Sequence, residues 1–133
     1  MPPPLHCLLY ISQIAPDLDV HQVGQIVKQA RELNAIQGIT GILVFDGERF
    51  AQYVEGPAEA ISPLATKLAV DARHRHFNPL LTQELAGERR FASWAMGYSD
   101  VDMDALDIEA LSSMEAGRAL EYFCAATTAI DSL

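Results

Sequence analysis

Gln52 is the side chain in this chain whose type and placement first suggest chemistry. It stands on an otherwise apolar run, Phe50 to Val54. That run and Ile39–Phe45 flank an Asp46-Gly47 turn, a strong hairpin signal. A neutral amide among apolar neighbours is costly unless both its donor and its acceptor end are satisfied. With Phe45 set opposite Glu48, Gly41 falls opposite Gln52 and leaves room for a polar group. Tyr10, on the first apolar strand, is the nearest candidate. Taken alone, Tyr10 reads as a core aromatic whose hydroxyl has found an acceptor. Gln52 beside it alters that reading, because a Tyr–Gln contact can bridge to a bound acceptor. A carboxylate at position 52 could not alternate donor and acceptor ends in this way.

Other polar residues are less specific. Asn34 extends the apolar face of a helix from Val27 and Ala30. It reads equally as a helix-end residue tolerant of unusual backbone angles and as a polar contact. Asp71-Ala72-Arg73-His74 follows a second helix, where a solvated helix end with favourable cations is the ordinary reading. His74-x-His76 has metal-ligand spacing, but no third ligand stands at a convincing distance in sequence. Trp94 and Met96 alternate onto one face of a strand with Tyr98, and their first reading is core packing. Glu55-Gly56-Pro57 reads as the close of the hairpin and the opening of the next helix.

The elements that must position these residues follow from periodicity. Leu5–Ile11 is apolar on both alternations, which predicts a strand covered on both faces. A helix over about 19–35 follows, capped by Asp17 or Asp19 and ended by Gly38. The hairpin strands cover about 39–45 and 49–55. A helix over about 58–71 contains Pro63, so it either starts near Ser62 or kinks. Strands near 79–85 and 92–98 come next. Two closing helices cover about 104–113 and 115–127, the last with an apolar stripe of Leu120, Phe123, Cys124 and Thr127. The order βαββαββ then αα predicts an α+β, ferredoxin-like sandwich with a five-stranded mixed sheet. Two helices cover one face and the C-terminal helices the other. The first and third strands are central neighbours, which brings Tyr10 to Gln52. Two units are expected, a domain over 1–100 and a helical extension over 101–133.

Composition bounds the partners. The 133 residues are half hydrophobic, with a formal charge of −9. Residues 1–98 hold ten acidic and eight basic side chains, whereas 99–133 hold eight acidic ones and Arg118 alone. That balance argues against nucleic acid, which demands a basic face. No apolar run approaches the roughly 18 residues of a membrane span, and the start lacks a basic signal region. Cys7 and Cys124, far apart, suggest a reduced cytoplasmic protein with two buried thiols.

One ordered set of residues carries a family likeness: Tyr10-x-Ser12, Asn34, Gly38-Ile39-Thr40-Gly41, Phe50-x-Gln52-x-x-Glu55-Gly56, Asp71-x-Arg73-His74, Arg90-Phe91 and Trp94-x-Met96. Over residues 5 to about 98 the chain resembles the BLUF family, flavin-binding sensors of blue light. The resemblance implies the same sandwich, with the last strand beside the first. It implies FAD held non-covalently between the two helices, with no cysteine beside the ring. In that reading light makes the flavin a strong oxidant. Tyr10 supplies an electron and a proton through Gln52, and Gln52 then rotates or changes tautomer. The flavin's hydrogen bonds change, and its absorption moves slightly to the red. Asn34 binds the polar edge of the ring, while Ile26 and Val27 are walls. Arg73 and His74 are cofactor contacts assisted by Asp71 and Lys67, and Lys28 or Arg31 could meet the phosphates. Many members carry proline where Ala72 stands. Met96 is expected to contact Gln52, Ser12 to adjust the bonding around Tyr10 and Trp94, and the last strand and closing helices to carry the signal. The output then passes to a downstream protein partner or through a homo-oligomer. The alternatives are a small ferredoxin-like flavin oxidoreductase, for which no acid–base pair or nucleophile triad is evident, and a cofactor-free interaction module using the acidic tail.

Overall fold

The computed structural model describes residues 4–85, 87–98 and 106–131. The elements are β1 (Leu5–Ile14), α1 (Val20–Gln37), β2 (Thr40–Phe45), β3 (Arg49–Pro57), α2 (Ala58–Val70), β4 (His74–Leu85), β5 (Trp94–Tyr98), α3 (Ile108–Leu111) and α4 (Ala116–Asp131). The expected start of the penultimate helix at 104 and the facing of the Tyr98 side chain lie outside the described residues.

One five-stranded sheet holds the order β4-β1-β3-β2-β5. All pairings are antiparallel except β2 with β5. The fold is α+β and ferredoxin-like, as expected. The last strand, however, lies beside β2 and not beside the first strand. β1 already has β3 on one edge and β4 on the other. Its backbone groups are therefore committed, and β5 takes the open edge of β2.

The sheet is covered on both faces. Leu8, Tyr10, Leu43, Phe45, Val54 and Trp94 pack under Val23 and Val27 of α1 and Ile61 of α2. Cys7, Leu9, Ile42, Val44 and Tyr53 pack against Ile108, Leu111, Leu120 and Phe123 on the other face. Burying side chains such as Tyr53, Phe123 and Leu8 contributes about 1.5–3 kcal/mol each. The predicted stripe of Leu120, Phe123, Cys124 and Thr127 is buried throughout.

α1 begins with a capping box in which Asp19 and Gln22 exchange side-chain and backbone bonds, and it ends at Gly38 with φ 72°. α2 starts at Ala58 and runs through Pro63, so it does not begin near Ser62. The helix is held by packing of Ile61, Leu64 and Leu68 on the sheet, which outweighs the missing N–H of one proline.

The hairpin register differs from expectation by two residues. Phe45 faces Phe50, so Gln52 faces Leu43 and Gly41 faces Val54. The reason is Asp46, whose carboxylate accepts from the backbone N–H of Glu48 and Arg49 at 2.9 and 2.6 Å. Asp46 thus opens the turn instead of forming its tip. A slip of two leaves every side chain on its expected face. Gly41 also does something other than leave room for a polar group. Its φ is +147°, and a Cβ there would meet the Tyr53 carbonyl oxygen at 2.0 Å.

Candidate functional site

Tyr10 and Gln52 are directly paired across β1 and β3. Both are almost wholly buried, and Gln52 Nε2 donates to the Tyr10 hydroxyl at 2.6 Å. At its other end Gln52 Oε1 accepts from the Trp94 indole N–H at 3.0 Å. An indole nitrogen can only donate, so the amide oxygen must face Trp94 and the amide nitrogen must face Tyr10. The orientation of Gln52 is thereby fixed by its two neighbours. Burial raises the Tyr10 hydroxyl well above an ordinary phenol, opposed in part by the Gln52 bond. Tyr10 therefore keeps its proton at any physiological pH.

Tyr10 and Gln52 floor a cavity of about 480 Å³ between α1 and α2, within the usual size of a small-molecule site. α1 contributes Ile26, Ala30, Leu33 and Asn34, α2 contributes Leu64, Lys67 and Leu68, and the segment after α2 closes one end with Asp71, Arg73 and His74. Val27 is packed in the core and does not line the cavity, nor do Lys28 and Arg31. Arg31 instead stands over the Trp94 ring, 5.8 Å from its centroid.

Asn34 is 5% exposed. Its backbone carbonyl accepts from the N–H of Gly38 and Ile39, which ends the helix. Its side-chain amide has no hydrogen-bond partner among the described residues. A buried, unpaired amide on a cavity wall is the polar group a ligand would satisfy. The cavity thus presents one unsatisfied amide, one Tyr–Gln pair and otherwise mostly apolar walls. That combination fits a planar heteroaromatic ring with adjacent donor and acceptor groups on one edge.

The Arg73 guanidinium is clamped. It donates twice from Nε and once from Nη2 to Asp71, and Nη1 reaches Gln29 Oε1 at 2.9 Å. Those bonds hold the Asp71 carboxyl below the usual carboxylate range. Gln29 was not singled out from sequence, because a glutamine on a helix surface carries no signal of its own. His74 ties α2 to β1. Its Nε2 meets the Leu68 carbonyl and its Nδ1 meets Ser12 Oγ at 2.8 Å. A carbonyl only accepts, so Nε2 carries the hydrogen, and in the neutral ring Nδ1 takes the Ser12 proton. Ser12 therefore bonds His74 directly. Trp94 lies three strands away in the sheet order. Met96 packs on the same cluster as Tyr10, and the registers place Leu43 between it and Gln52. Trp94 itself is buried. His76 is exposed, and no cluster of metal-ligating side chains occurs among the described residues.

The approach to β5 is set by Glu55, read from sequence as a turn residue. Its fully buried carboxylate accepts from the backbone N–H of Arg90 and Phe91 at 3.0 and 2.8 Å and from the Tyr53 hydroxyl at 2.9 Å. The signal was present: an acid in register with Tyr53, two residues before it, must be answered if that face is buried. Both cysteines lie in the core on the opposite face of the sheet from the cavity.

The family model for BLUF, sensors of blue-light using FAD, matches residues 5–97. The chain belongs to the BLUF family. BLUF domains are photosensors that use a flavin, and this one carries the Tyr–Gln pair on its cavity floor. The chain is 33% identical over 103 residues to the blue light- and temperature-regulated antirepressor BluF of Escherichia coli K12, covering 77% of this chain and 25% of that protein. It is similar to the dark-state structure of the BLUF protein BlrB, with a TM-score of 0.78 and 27% identity over 95% of this chain and 98% of that one. Klebsiella pneumoniae BlrP1 with FMN and cyclic diGMP gives a TM-score of 0.71 and 29% identity over 91% and 34%. The chain thus spans about a quarter of the Escherichia coli relative and nearly all of BlrB. No helix among the described residues is long and apolar enough to cross a membrane.

Proposed function

We propose that this BLUF chain is a blue-light receptor that holds FAD non-covalently between α1 and α2 and signals by rearranging Gln52. The observation that carries the reading is the bonded series Tyr10–Gln52–Trp94, whose first two members line the 480 Å³ cavity. The flavin supplies light absorption and, once excited, a strong oxidant. The protein's residues do the rest. Asn34 takes the polar edge of the ring. Ile26 lines the apolar wall, and Lys67 and Arg73 bring positive charge to one end, assisted by Asp71. His74 holds α2 to β1 through Ser12, which keeps that end shaped. Tyr10 would give up an electron and its hydroxyl proton and take both back on recombination, so that only Gln52 is left rearranged.

Gln52 passes that proton and settles in a second arrangement. For Tyr10 to deliver a proton to Gln52, the amide oxygen must turn toward the phenol. The amide N–H₂ then faces the indole N–H, and two donors cannot bond. Trp94 must therefore move when Gln52 rotates and remains an amide. Movement at Trp94 reaches β5, Met96 and the closing helices, which pack on the far face of the same sheet. We place the sensor in residues 1–100 and the output in the helical segment of 101–133, acting on a protein partner or a second copy in the cytoplasm.

The test is the visible spectrum of dark-purified protein before and after blue light. A flavin spectrum with a small, reversible red shift is expected. Tyr10→Phe keeps the flavin and loses the shift. A Tyr10→Phe protein with an undiminished shift refutes the mechanism.

A further inference from the structure

A second cavity, of about 420 Å³, lies between the C-terminal half of α1, the start of β2 and the 89–94 segment. Its walls include Arg31 and Arg89, with Thr40, Ser93 and the Trp94 ring. The chain has 18 acidic side chains for 9 basic ones, and Arg49, Arg73 and Arg90 each pair with a carboxylate. Among the described residues, neither Arg31 nor Arg89 has a carboxylate within ion-pair distance. Arg89 is nonetheless fixed in place. Its Nη1 donates to Thr40 Oγ1 at 2.8 Å and to the Glu55 carbonyl at 3.2 Å, which leaves Nη2 and Nε without partners there. The Arg31 guanidinium is steadied over the Trp94 face and has no hydrogen-bond partner among the described residues.

We propose that this cavity binds a small oxyanion, a carboxylate or a phosphate monoester, between Arg31 and Arg89. Two guanidinium groups from different elements converging on one concave site are the recognition chemistry of such groups. The opposing influences are weaker. The carbonyl end of α1 carries about half a negative charge, spread over its last turn, and the Asn34 carbonyl there is already met by two backbone N–H groups. The Glu55 carboxylate is satisfied by Tyr53, Arg90 and Phe91, and meets Arg89 only through Thr40. The ligand would rest against the indole whose N–H holds Gln52. Occupancy would therefore bias the position of Trp94, giving the light sensor a chemical input. That consequence rests on the function proposed above, whereas binding itself does not.

Trp94 is the single tryptophan of the chain, so its indole N–H gives one assigned resonance on the wall of this cavity, and the arginine variants separate its response to this cavity from its response to Gln52. The full chain, purified in the dark with its flavin, is titrated with sodium phosphate and separately with sodium acetate, against sodium chloride at matched ionic strength. A saturable shift at roughly millimolar anion is expected, and Arg31→Gln or Arg89→Gln weakens it about fivefold or more. The remaining amide resonances show that each variant is folded. A stronger response to phosphate assigns a phosphate monoester, and a stronger response to acetate a carboxylate. The proposal is overturned if neither anion gives a saturable shift, if chloride reproduces it, or if it persists in the double variant. The dark and light visible spectra, recorded on the same samples, decide the flavin reading separately.

Discussion

Glu55→Gln removes one charge and almost no volume, yet it should be among the most damaging single changes in this protein. Oε1 of Glu55 accepts from the Tyr53 hydroxyl and the Arg90 N–H, and Oε2 accepts from the Phe91 N–H and, at 3.4 Å, from Thr40. A glutamine must put its NH₂ at one of these positions. On the first it faces the Arg90 N–H, and on the second the Phe91 N–H. Tyr53 and Thr40 can turn their hydroxyls to accept, but a backbone N–H cannot. Either choice leaves one backbone donor, part-buried at Arg90 or buried at Phe91, unpaired and opposed, which costs about 1–3 kcal/mol. For a chain of this length the melting midpoint should fall by on the order of 10 °C. The assay is thermal or denaturant unfolding of wild type and variant in parallel, read by far-ultraviolet circular dichroism. Because the 90–91 backbone leads into β5, the indole resonance of Trp94 should broaden or move as well. A variant within about 0.5 kcal/mol of wild type, with an unmoved indole, would refute the assignment of Glu55 as the anchor of this segment.

Three further outcomes follow from the same geometry. Gly41→Ala places a Cβ against the Tyr53 carbonyl at 2.0 Å and against the Val54 Cα at 2.9 Å. Backbone must shift, and the loss should exceed about 4 kcal/mol, so soluble protein at normal yield with an unchanged melting curve would contradict the close approach. The Asp71 carboxyl is held below its ordinary value of 3.8 by Arg73. The clamp therefore stabilises the fold fully above the carboxylate range and is lost as pH falls through the folded value. Because Arg73 is 43% exposed, the effect is no more than about 1 kcal/mol. The stability gap between wild type and Asp71→Asn should shrink from pH 7 to pH 3, and a widening gap would reverse the sign. Burial pushes the Cys124 thiol up to about 11 and the Cys7 thiol above its usual value. At pH 8 neither should react promptly with a disulfide reagent until denaturant is added, and fast labelling of the folded chain would count against their burial.

Much of this arrangement is legible in residue order because local physics and tertiary demand agree. Asp19 and Gly38 bound α1 as their capping chemistry requires, and the doubly apolar β1 lies in the interior of the sheet. The Tyr10–Gln52 pairing follows from strand adjacency alone. The misses share a cause, a tertiary partner that local pattern does not encode. Asp46 captures two turn amides and moves the hairpin by two. β4 starts at His74, five residues before the apolar run that marks it, because its first part lies along β1 at the sheet edge with Arg75, His76 and Asn78 exposed. β5 follows a long connection, and its place is decided by which edge is still open. Glu55 is silent in sequence because its partners are backbone groups 35 and 36 residues away.

The bonds around Gln52 also bound the size of the signal. Under the proposed mechanism the two arrangements of the amide differ, on the Trp94 side, by one hydrogen bond to a buried indole. Leaving that donor unpaired costs about 1–3 kcal/mol, so the bias passed to Trp94 is between fivefold and a little over a hundredfold. A ligand cannot move an equilibrium by more than its differential interaction with the two states, and the same holds for a rotated side chain. A partner reading β5 through this one bond would therefore see a shift in population and not an absolute switch. A steeper response needs more contacts to change together. The fold offers them around Trp94. Arg31 lies over its face, and the backbone N–H of Gly41 bonds the Ser93 carbonyl at 3.1 Å just before β5 begins. Glu55 fixes the residues just before that point. Trp94 thus lines the arginine-lined cavity, opens β5 and bonds the Gln52 that floors the first cavity, so its displacement bears on all three at once.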